Sequence, residues 1–130
     1  MVVDTSAVLA ILQCEPESEL FAELIEADPV RLISAVTVLE AGMLAEARKG
    51  EPGALELDNF MMRGQFQTVP FDAEQTQVAR LAFRRFGKGR HPAGLNFGDC
   101  ASYALASTQG EPLLFKGQDF AKTDIAQAAS

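Results

Sequence analysis

Short apolar runs alternate with longer amphipathic stretches along the whole chain. The apolar runs are followed by turn-forming or helix-capping residues, which predicts short buried strands at residues 1–3, 31–34, 67–70 and 112–115. Helical spacing with proline and glycine boundaries predicts helices over residues 7–14, 16–27, 37–48, 52–62, 73–86 and 99–107. This alternation is typical of an α/β sandwich with a mainly parallel sheet.

The ends of the predicted helices carry specific capping signals. Thr5 or Ser6 is expected to cap the first helix, and Asp72 is expected to cap the helix that Gly87 closes. A glycine-rich loop over residues 87–98 then leads to Asp99, which we expect to open the next helix. The tail, residues 123–130, is predicted to add an edge strand. No repeat or linker interrupts this pattern, so residues 1–130 are expected to form one domain.

Composition narrows the class of protein. The chain has 130 residues, of which 48% are hydrophobic and 22% charged, as in a compact globular domain. No apolar run reaches the roughly 18 residues that a membrane span needs. The first residues lack a basic segment, and Asp4 interrupts their apolar run, so no secretory signal is expected. With only Cys14 and Cys100, the simplest expectation is a reduced cytoplasmic protein.

Charge is unevenly distributed along the chain. The net charge is −7, which argues against a generally basic nucleic-acid binder. Residues 1–79 contain 14 acidic and 4 basic residues, whereas residues 80–130 contain 4 acidic and 7 basic ones. The positive excess is concentrated in one segment: Arg80, Arg84, Arg85, Lys88 and Arg90. This segment is either a patch for an anionic ligand or an ordinary solvated helix face.

Four acidic residues stand out by their position. Asp4 and Asp119 follow the first and fourth predicted strands, and the carboxyl ends of parallel strands form the functional edge of such sheets. Asp99 begins a helix. Each of these three also suits an ordinary helix cap or turn. Glu40 lies at helical spacing from apolar residues, so its carboxylate must reach solvent, pair with an arginine or bind a cation.

Carboxylates without histidine or cysteine partners favour a hard cation. Oxygen ligands suit Mg²⁺ or Mn²⁺, and Mg²⁺ in proteins commonly contacts substrate phosphates. The single histidine, His91, cannot build a zinc site here. Acidic residues beside a basic segment therefore indicate metal-assisted hydrolysis of a phosphodiester, provided that the fold brings them together.

Four blocks of sequence together resemble the PIN-domain ribonucleases of the VapC type, which are toxins of type II toxin–antitoxin pairs. The blocks occur in order over essentially the whole chain: MVVDTSAVLAIL, VTVLEA, GKGRHPAGLNFGDCASYALA and PLLFKGQDFAKTDI. The resemblance implies a three-layer α/β/α domain around a short parallel sheet. It also implies Mg²⁺-dependent endonucleolytic cleavage of single-stranded or looped RNA, with Mn²⁺ as an alternative ion. A homodimer and inhibition by a small VapB-like antitoxin are implied as well.

The resemblance also assigns roles to particular residues. Asp4, Glu40 and Asp99 match the three core acidic positions of the family, and Asp119 matches the more variable fourth. Asp4 and Asp99 are then the expected direct ligands of the ion, with Glu40 orienting a water or the ion. Ser6 matches the hydroxyl residue that supports the first aspartate. The basic residues from Arg80 to Arg90 would follow the RNA backbone.

Two departures and two alternatives qualify this assignment. Gly117 stands where many relatives carry a further acid, which leaves the number of bound ions open. Asp124 lies in the matching segment without an expected catalytic role. A phosphoacceptor receiver domain shares the α/β layout, with Asp72 and Lys116 in comparable places, but it needs an acidic pair after the first strand. A catalytically silent PIN domain acting as a binding module is the other alternative.

Overall fold

The computed structural model describes residues 1–129, which contain four strands and six α-helices. The strands are β1 (Val2–Val3), β2 (Leu32–Ser34), β3 (Gln67–Val69) and β4 (Leu113–Leu114). The helices are α1 (Thr5–Leu12), α2 (Ser18–Ala27), α3 (Ala35–Lys49), α4 (Glu51–Arg63), α5 (Ala73–Phe86) and α6 (Phe97–Gln109). A short 3₁₀ turn follows at Phe120–Lys122. No helix within residues 1–129 is long and apolar enough to cross a membrane.

The four strands form one parallel sheet in the order β3-β2-β1-β4. Val2 is in register with Leu32 of β2 and with Leu113 of β4, so β1 lies in the middle of the sheet. Because all strands run in one direction, their carboxyl ends meet at one edge. The segments that follow β1, β2 and β4 therefore start at that same edge.

Helices cover both faces of the sheet. Val2 and Val3 are fully buried and, as neighbours on a strand, point to opposite faces. Val2 packs in a cluster with residues of α5, α6 and the loop between them, including Ala82, Phe86, Leu95 and Leu105. Val3 packs in a second cluster with residues of α1 and α2, including Ala7, Val8, Phe21 and Ile25. The result is the three-layer α/β/α architecture that the sequence predicted.

Several element ends differ from the sequence-based predictions. The residue that caps α1 is Asp4, not Thr5 or Ser6, because its carboxylate accepts the backbone N–H of Ser6. Helix α6 begins two residues earlier than predicted, since Asn96 takes the capping position. Asp72 does cap α5, and α5 ends at Gly87, as predicted.

Two details of the strand predictions were wrong. Strand β3 lies where it was predicted but is largely exposed, not buried on both faces, because its polar Gln67 and Thr68 lie at an edge of the sheet, whereas the apolar edge strand β4 is buried. Over residues 123–129, the predicted edge strand is reduced to a single bridge between Leu113 and Gln127. The last residue of the predicted tail, at position 130, lies outside the described residues.

Candidate active site

The carboxylate of Asp4 is held rigidly at the end of β1. Its backbone N–H donates to the carbonyl oxygen of Leu114, which fixes it beside the end of β4. The residue is only 2% exposed. Oδ1 accepts a hydrogen bond of 2.6 Å from Ser102 Oγ, and Oδ2 accepts one of 2.7 Å from Ser6 Oγ. Asp4 thus caps α1, and its buried charge is stabilised by two hydroxyl donors and one backbone N–H.

Glu40 reaches the same region from α3. Thr5 Oγ1 donates a hydrogen bond of 2.5 Å to Glu40 Oε1. The polar partner of this carboxylate in the structure is therefore a hydroxyl group and not an arginine. On its other side the carboxylate packs directly against Gly98 of α6. A Cβ added at Gly98 would lie 2.5 Å from Glu40 Oε2, which is far closer than real Cβ contacts. A larger residue at this position would therefore displace the Glu40 carboxylate.

Asp99 is the third residue of α6 and forms a capping box with Asn96. Its Oδ2 accepts the N–H of Asn96, and its own N–H donates to Asn96 Oδ1, each at 3.0 Å. Burial of this carboxyl raises its pKa from 3.8 to about 6, although the bond from Asn96 acts the other way. The nearby carboxylates of Asp4, Asp119 and Glu40 raise the pKa further. The structure therefore brings Asp4, Glu40 and Asp119 within electrostatic reach of Asp99.

Asp119 differs from the other three acidic residues in its exposure. It lies after β4, immediately before the 3₁₀ turn, and its side chain is open to solvent. Asp124 is not part of this acidic site. Its carboxylate accepts hydrogen bonds from Tyr103 Oη at 2.5 Å and from Arg85 at 3.3 Å. Burial and the bond to Asp124 raise the pKa of Tyr103 to about 12. Asp124 thus anchors the tail to α5 and α6.

Buried hydroxyl groups form the part of the site that the sequence analysis missed. Ser102 and Thr37 are both fully buried, with their oxygens 3.3 Å apart. Since Ser102 donates its one proton to Asp4, Thr37 must be the donor to Ser102. Ser102 comes three residues after Asp99, on the same face of α6. That spacing was the one signal in the sequence that could have identified it.

The acidic residues do not form a compact ligand cage. Among residues 1–129, no group of three His, Cys, Asp or Glu side chains is arranged to hold a metal ion. The donor set nevertheless consists of oxygen atoms alone, and Mg²⁺ keeps several waters and needs only one or two carboxylates from a protein. The residues present therefore fit a magnesium ion by their chemistry.

The basic segment divides into two groups. Arg80, Arg84 and Arg90 line a cleft between α5 and α6, and Lys88 is exposed in the loop that follows α5. Arg85 points elsewhere: its guanidinium pairs with Asp124 and lies 4.6 Å from the ring centre of Phe86. His91 shapes the same loop, since its Nδ1 accepts the N–H of Ala93. Lys116, which the sequence analysis compared with a position in receiver domains, forms ion pairs with Glu15 and Glu17.

Known proteins resemble this chain over nearly its full length. The family model described as the PIN domain matches residues 1–126. A relative from Mycolicibacterium smegmatis, named Ribonuclease VapC, is 54% identical over 126 residues, which are 97% of this chain and 98% of the relative.

Two solved structures show the same fold at low sequence identity. Mycobacterium tuberculosis VapC20, described as a sarcin-ricin loop cleaving toxin, has a TM-score of 0.78 at 18% identity over 97% of this chain and 96% of its own. VapBC2 from Rickettsia felis, bound to a DNA fragment from their promoter, has a TM-score of 0.73 at 17% identity. That match covers 97% of this chain and 94% of the other.

Proposed function

The chain belongs to the PIN domain family, among the proteins named VapC, and from this premise we propose that it is a Mg²⁺-dependent endoribonuclease. We propose that it cleaves RNA phosphodiester bonds as the toxin of a VapBC-type toxin–antitoxin pair in the cytoplasm. The observation that carries the activity is the set of four carboxylates at the carboxyl edge of the sheet, close enough to raise the pKa of Asp99.

In this proposal Asp4 and Asp99 are the direct ligands of Mg²⁺, with Mn²⁺ as a substitute. Glu40 orients a water or the ion, and Asp119 completes the site from the exposed side. When bound, the ion would polarise the phosphodiester and make a water molecule a stronger nucleophile at neutral pH. Burial and the neighbouring carboxylates both raise the pKa of Asp99, and the negative charge of those carboxylates also favours a divalent cation.

The side chains around the acidic residues keep them in place. Ser6 and Ser102 fix both oxygens of Asp4, so this carboxylate cannot rotate without losing hydrogen bonds. Thr5 and the close contact at Gly98 restrict Glu40 in the same way. Such preorganisation is valuable at a hydrolytic site, because the groups need no rearrangement during the reaction.

RNA would lie on the positive segment next to the acidic residues. Arg80, Arg84 and Arg90, with Lys88 beside them, would contact backbone phosphates, which position a substrate without reading its sequence. Because Arg85 is already paired with Asp124, we give it a smaller share of this role than the sequence analysis did.

Two protein partners belong to the proposal. One is a VapB-like antitoxin, in keeping with the VapC name of the relatives. The other is a second copy of this chain. Leu39 and Met43 lie one turn apart on α3 and are each 64% exposed, and this apolar face would become buried in a homodimer.

The activity is tested by incubating the purified protein with structured RNAs in Mg²⁺, in Mn²⁺ and in EDTA. We expect cleavage only with a metal, and a loss of at least about 100-fold in Asp99→Asn. Asp58→Asn, the same change at an exposed position on α4, is the matched control and should cleave normally. Millimolar Mg²⁺ should also raise the Tm of the wild type but not that of Asp99→Asn. Full cleavage in EDTA, or by Asp99→Asn, would contradict the proposal.

A further inference from the structure

Helices α3 and α6 contact each other at neighbouring turns. At one turn the Glu40 carboxylate packs against Gly98. At the next, the Thr37 hydroxyl oxygen lies 3.3 Å from the Ser102 hydroxyl oxygen. Thr37 comes one helical turn before Glu40 on α3, and Ser102 comes one turn after Asp99 on α6. The hydroxyl pair therefore lies one turn behind two of the candidate metal-binding acids.

The direction of these hydrogen bonds follows from the available protons. Ser102 donates its one hydroxyl proton to Asp4 Oδ1 at 2.6 Å, so Thr37 donates to Ser102. Within residues 1–129, the Thr37 hydroxyl has no other hydrogen-bond partner. The three side chains thus form one chain of hydrogen bonds, from α3 through α6 to the segment after β1, and this chain ends on a candidate ligand of the ion.

A hydroxyl is a poor choice for a side chain that only fills the core. Thr37 is fully buried, and burying a hydroxyl group costs free energy that its hydrogen bond only partly or just offsets. Valine has nearly the same shape and would avoid this cost. The hydroxyl of Thr37 is therefore better explained by its effect on Ser102 than by packing.

That effect is to restrict the rotation of the Ser102 hydroxyl. A serine within a helix can turn its proton to the carbonyl oxygen four residues earlier, which here is that of Gly98. The hydrogen bond from Thr37 occupies a lone pair of the Ser102 oxygen from the side of α3, and a chain of such bonds polarises its members. Thr37 thus favours the orientation in which the Ser102 proton is directed at Asp4.

We propose that Thr37 is a positioning residue of the active site, which acts through Ser102 to hold Asp4 Oδ1 in the orientation that binds the metal ion. This inference rests on the proposed Mg²⁺-dependent activity and adds a residue to it that lies in the core, away from substrate. Loss of the Thr37 hydroxyl should weaken metal binding and slow cleavage, and it should leave the affinity for RNA unchanged.

The test separates the hydroxyl of Thr37 from its methyl group. Thr37→Val keeps the shape and removes the hydroxyl, whereas Thr37→Ser keeps the hydroxyl and removes the methyl group. Binding of Mn²⁺ is measured without RNA, from the electron paramagnetic resonance signal of the free ion. We expect Thr37→Val to bind Mn²⁺ about tenfold more weakly than the wild type, the lower end of what groups that orient a metal ligand contribute. Thr37→Ser should bind Mn²⁺ as tightly as the wild type.

Cleavage kinetics give a second measurement. At a Mg²⁺ concentration that half-saturates the wild type, kcat of Thr37→Val should fall about fivefold, because tenfold weaker binding lowers the occupancy by that factor. KM for RNA should stay unchanged, and Thr37→Ser should restore kcat. Thr108→Val is the matched control, since its hydroxyl on α6 bonds only to backbone carbonyls, and it should change neither kcat nor Mn²⁺ binding.

A double-mutant cycle shows whether Thr37 acts through Ser102. Once Ser102→Ala has removed the acceptor, adding Thr37→Val should cause no further loss of Mn²⁺ affinity. Far-UV circular dichroism and Tm establish that each variant is folded. If Thr37→Val does not fold, Thr37→Ala and Thr37→Ser replace it as the compared pair, because these two differ only in the hydroxyl.

Three results would overturn the proposal: unchanged Mn²⁺ binding in Thr37→Val, a loss in Thr37→Ser as large as that in Thr37→Val, or additive losses in the double variant. The second result would assign Thr37 to packing alone. A wild type that neither binds Mn²⁺ nor cuts RNA refutes the proposed function and this inference with it. A wild type and a Thr37→Val variant that bind Mn²⁺ and cut RNA equally well refute this inference alone.

Discussion

Replacing Asp99 by asparagine should make the metal-free protein more stable at neutral pH. The pKa of Asp99 in the folded protein is raised to about 6, chiefly by burial and then by the surrounding carboxylates. A carboxyl with a raised pKa destabilises the fold whenever it is ionised. Asparagine removes the charge but keeps an oxygen that can accept the N–H of Asn96, so the capping box is preserved.

The magnitude follows from the size of the pKa shift. A change from 3.8 to about 6 corresponds to at most about 3 kcal/mol, at about 1.4 kcal/mol per pH unit. Because the carboxyl is only half-buried, screening by solvent reduces this to roughly half. A negative charge in the first turn of α6 contributes roughly 0.3–1 kcal/mol of stabilisation, which the variant loses. The net gain in the free energy of unfolding should therefore be about 1 kcal/mol.

The stability difference between Asp99→Asn and the wild type should depend on pH. Above pH 6 the carboxyl is ionised in both the folded and the unfolded protein, so the full penalty is present in the wild type. As the pH falls from 6 to 3.8 the folded protein takes up the proton first, and the penalty disappears. The advantage of Asp99→Asn should thus be largest at pH 7–8 and decrease to near zero or slightly below at pH 4.

Urea denaturation in EDTA at a series of pH values from 8 to 4 measures this directly. Wild type, Asp99→Asn and the exposed control Asp58→Asn are compared at each pH, and m-values establish that unfolding exposes the same surface. Equal stability of the wild type and Asp99→Asn at pH 8 would refute the reasoning. A gain at pH 4 as large as the gain at pH 8 would do so too, because charge could then not be its cause.

Three further predictions concern contacts around the site. Gly98→Ala should reduce the cleavage rate with little change in the free energy of unfolding, because its methyl group would displace the flexible end of the Glu40 side chain from the site. Gly42→Ala, which meets only an ordinary contact at 3.6 Å, should change neither quantity in the same cleavage and urea assays. Ser102→Ala should cost about 1–3 kcal/mol in urea denaturation at pH 7, since it leaves a buried carboxylate oxygen without its donor; an unchanged midpoint would contradict this. Arg84→Ala should reduce the salt slope of RNA binding by about 0.7 and Arg85→Ala by less, and equal slopes would place both side chains on the RNA.

The sequence predicted the positions of the acidic residues because simple rules govern them. Asp4 and Asp119 follow short apolar strands, and the carboxyl ends of parallel strands share one edge. Glu40 lies beside apolar positions of a helix, so its need for a polar partner could also be predicted. Each of these predictions depends only on the spacing of residue types along the chain.

Contacts between distant elements could not be predicted in this way. The hydroxyl that satisfies Glu40 comes from Thr5, 35 positions away, and Ser102 reaches Asp4 across 98 positions. Gly98 looked like part of a flexible loop, whereas its lack of a side chain makes room for a carboxylate from α3. The burial of β3 was misjudged for a similar reason, because its place at an edge of the sheet depends on pairing between distant strands.

The hydroxyl contacts also explain how the fold tolerates so many like charges at one edge. Two of the acids accept a hydroxyl donor from a distant element, Asp4 from Ser102 on α6 and Glu40 from Thr5 on α1, whereas Asp99 accepts the N–H of Asn96 in its own helix cap. Repulsion among the acids, which tends to separate these elements, is thus opposed by charge-assisted hydrogen bonds that join them. Since those bonds link α1 to α3 and the segment after β1 to α6, loss of one hydroxyl should loosen the position of an acid on another element as well. The geometry of the site and the packing of the three helices at this edge are therefore maintained by the same bonds.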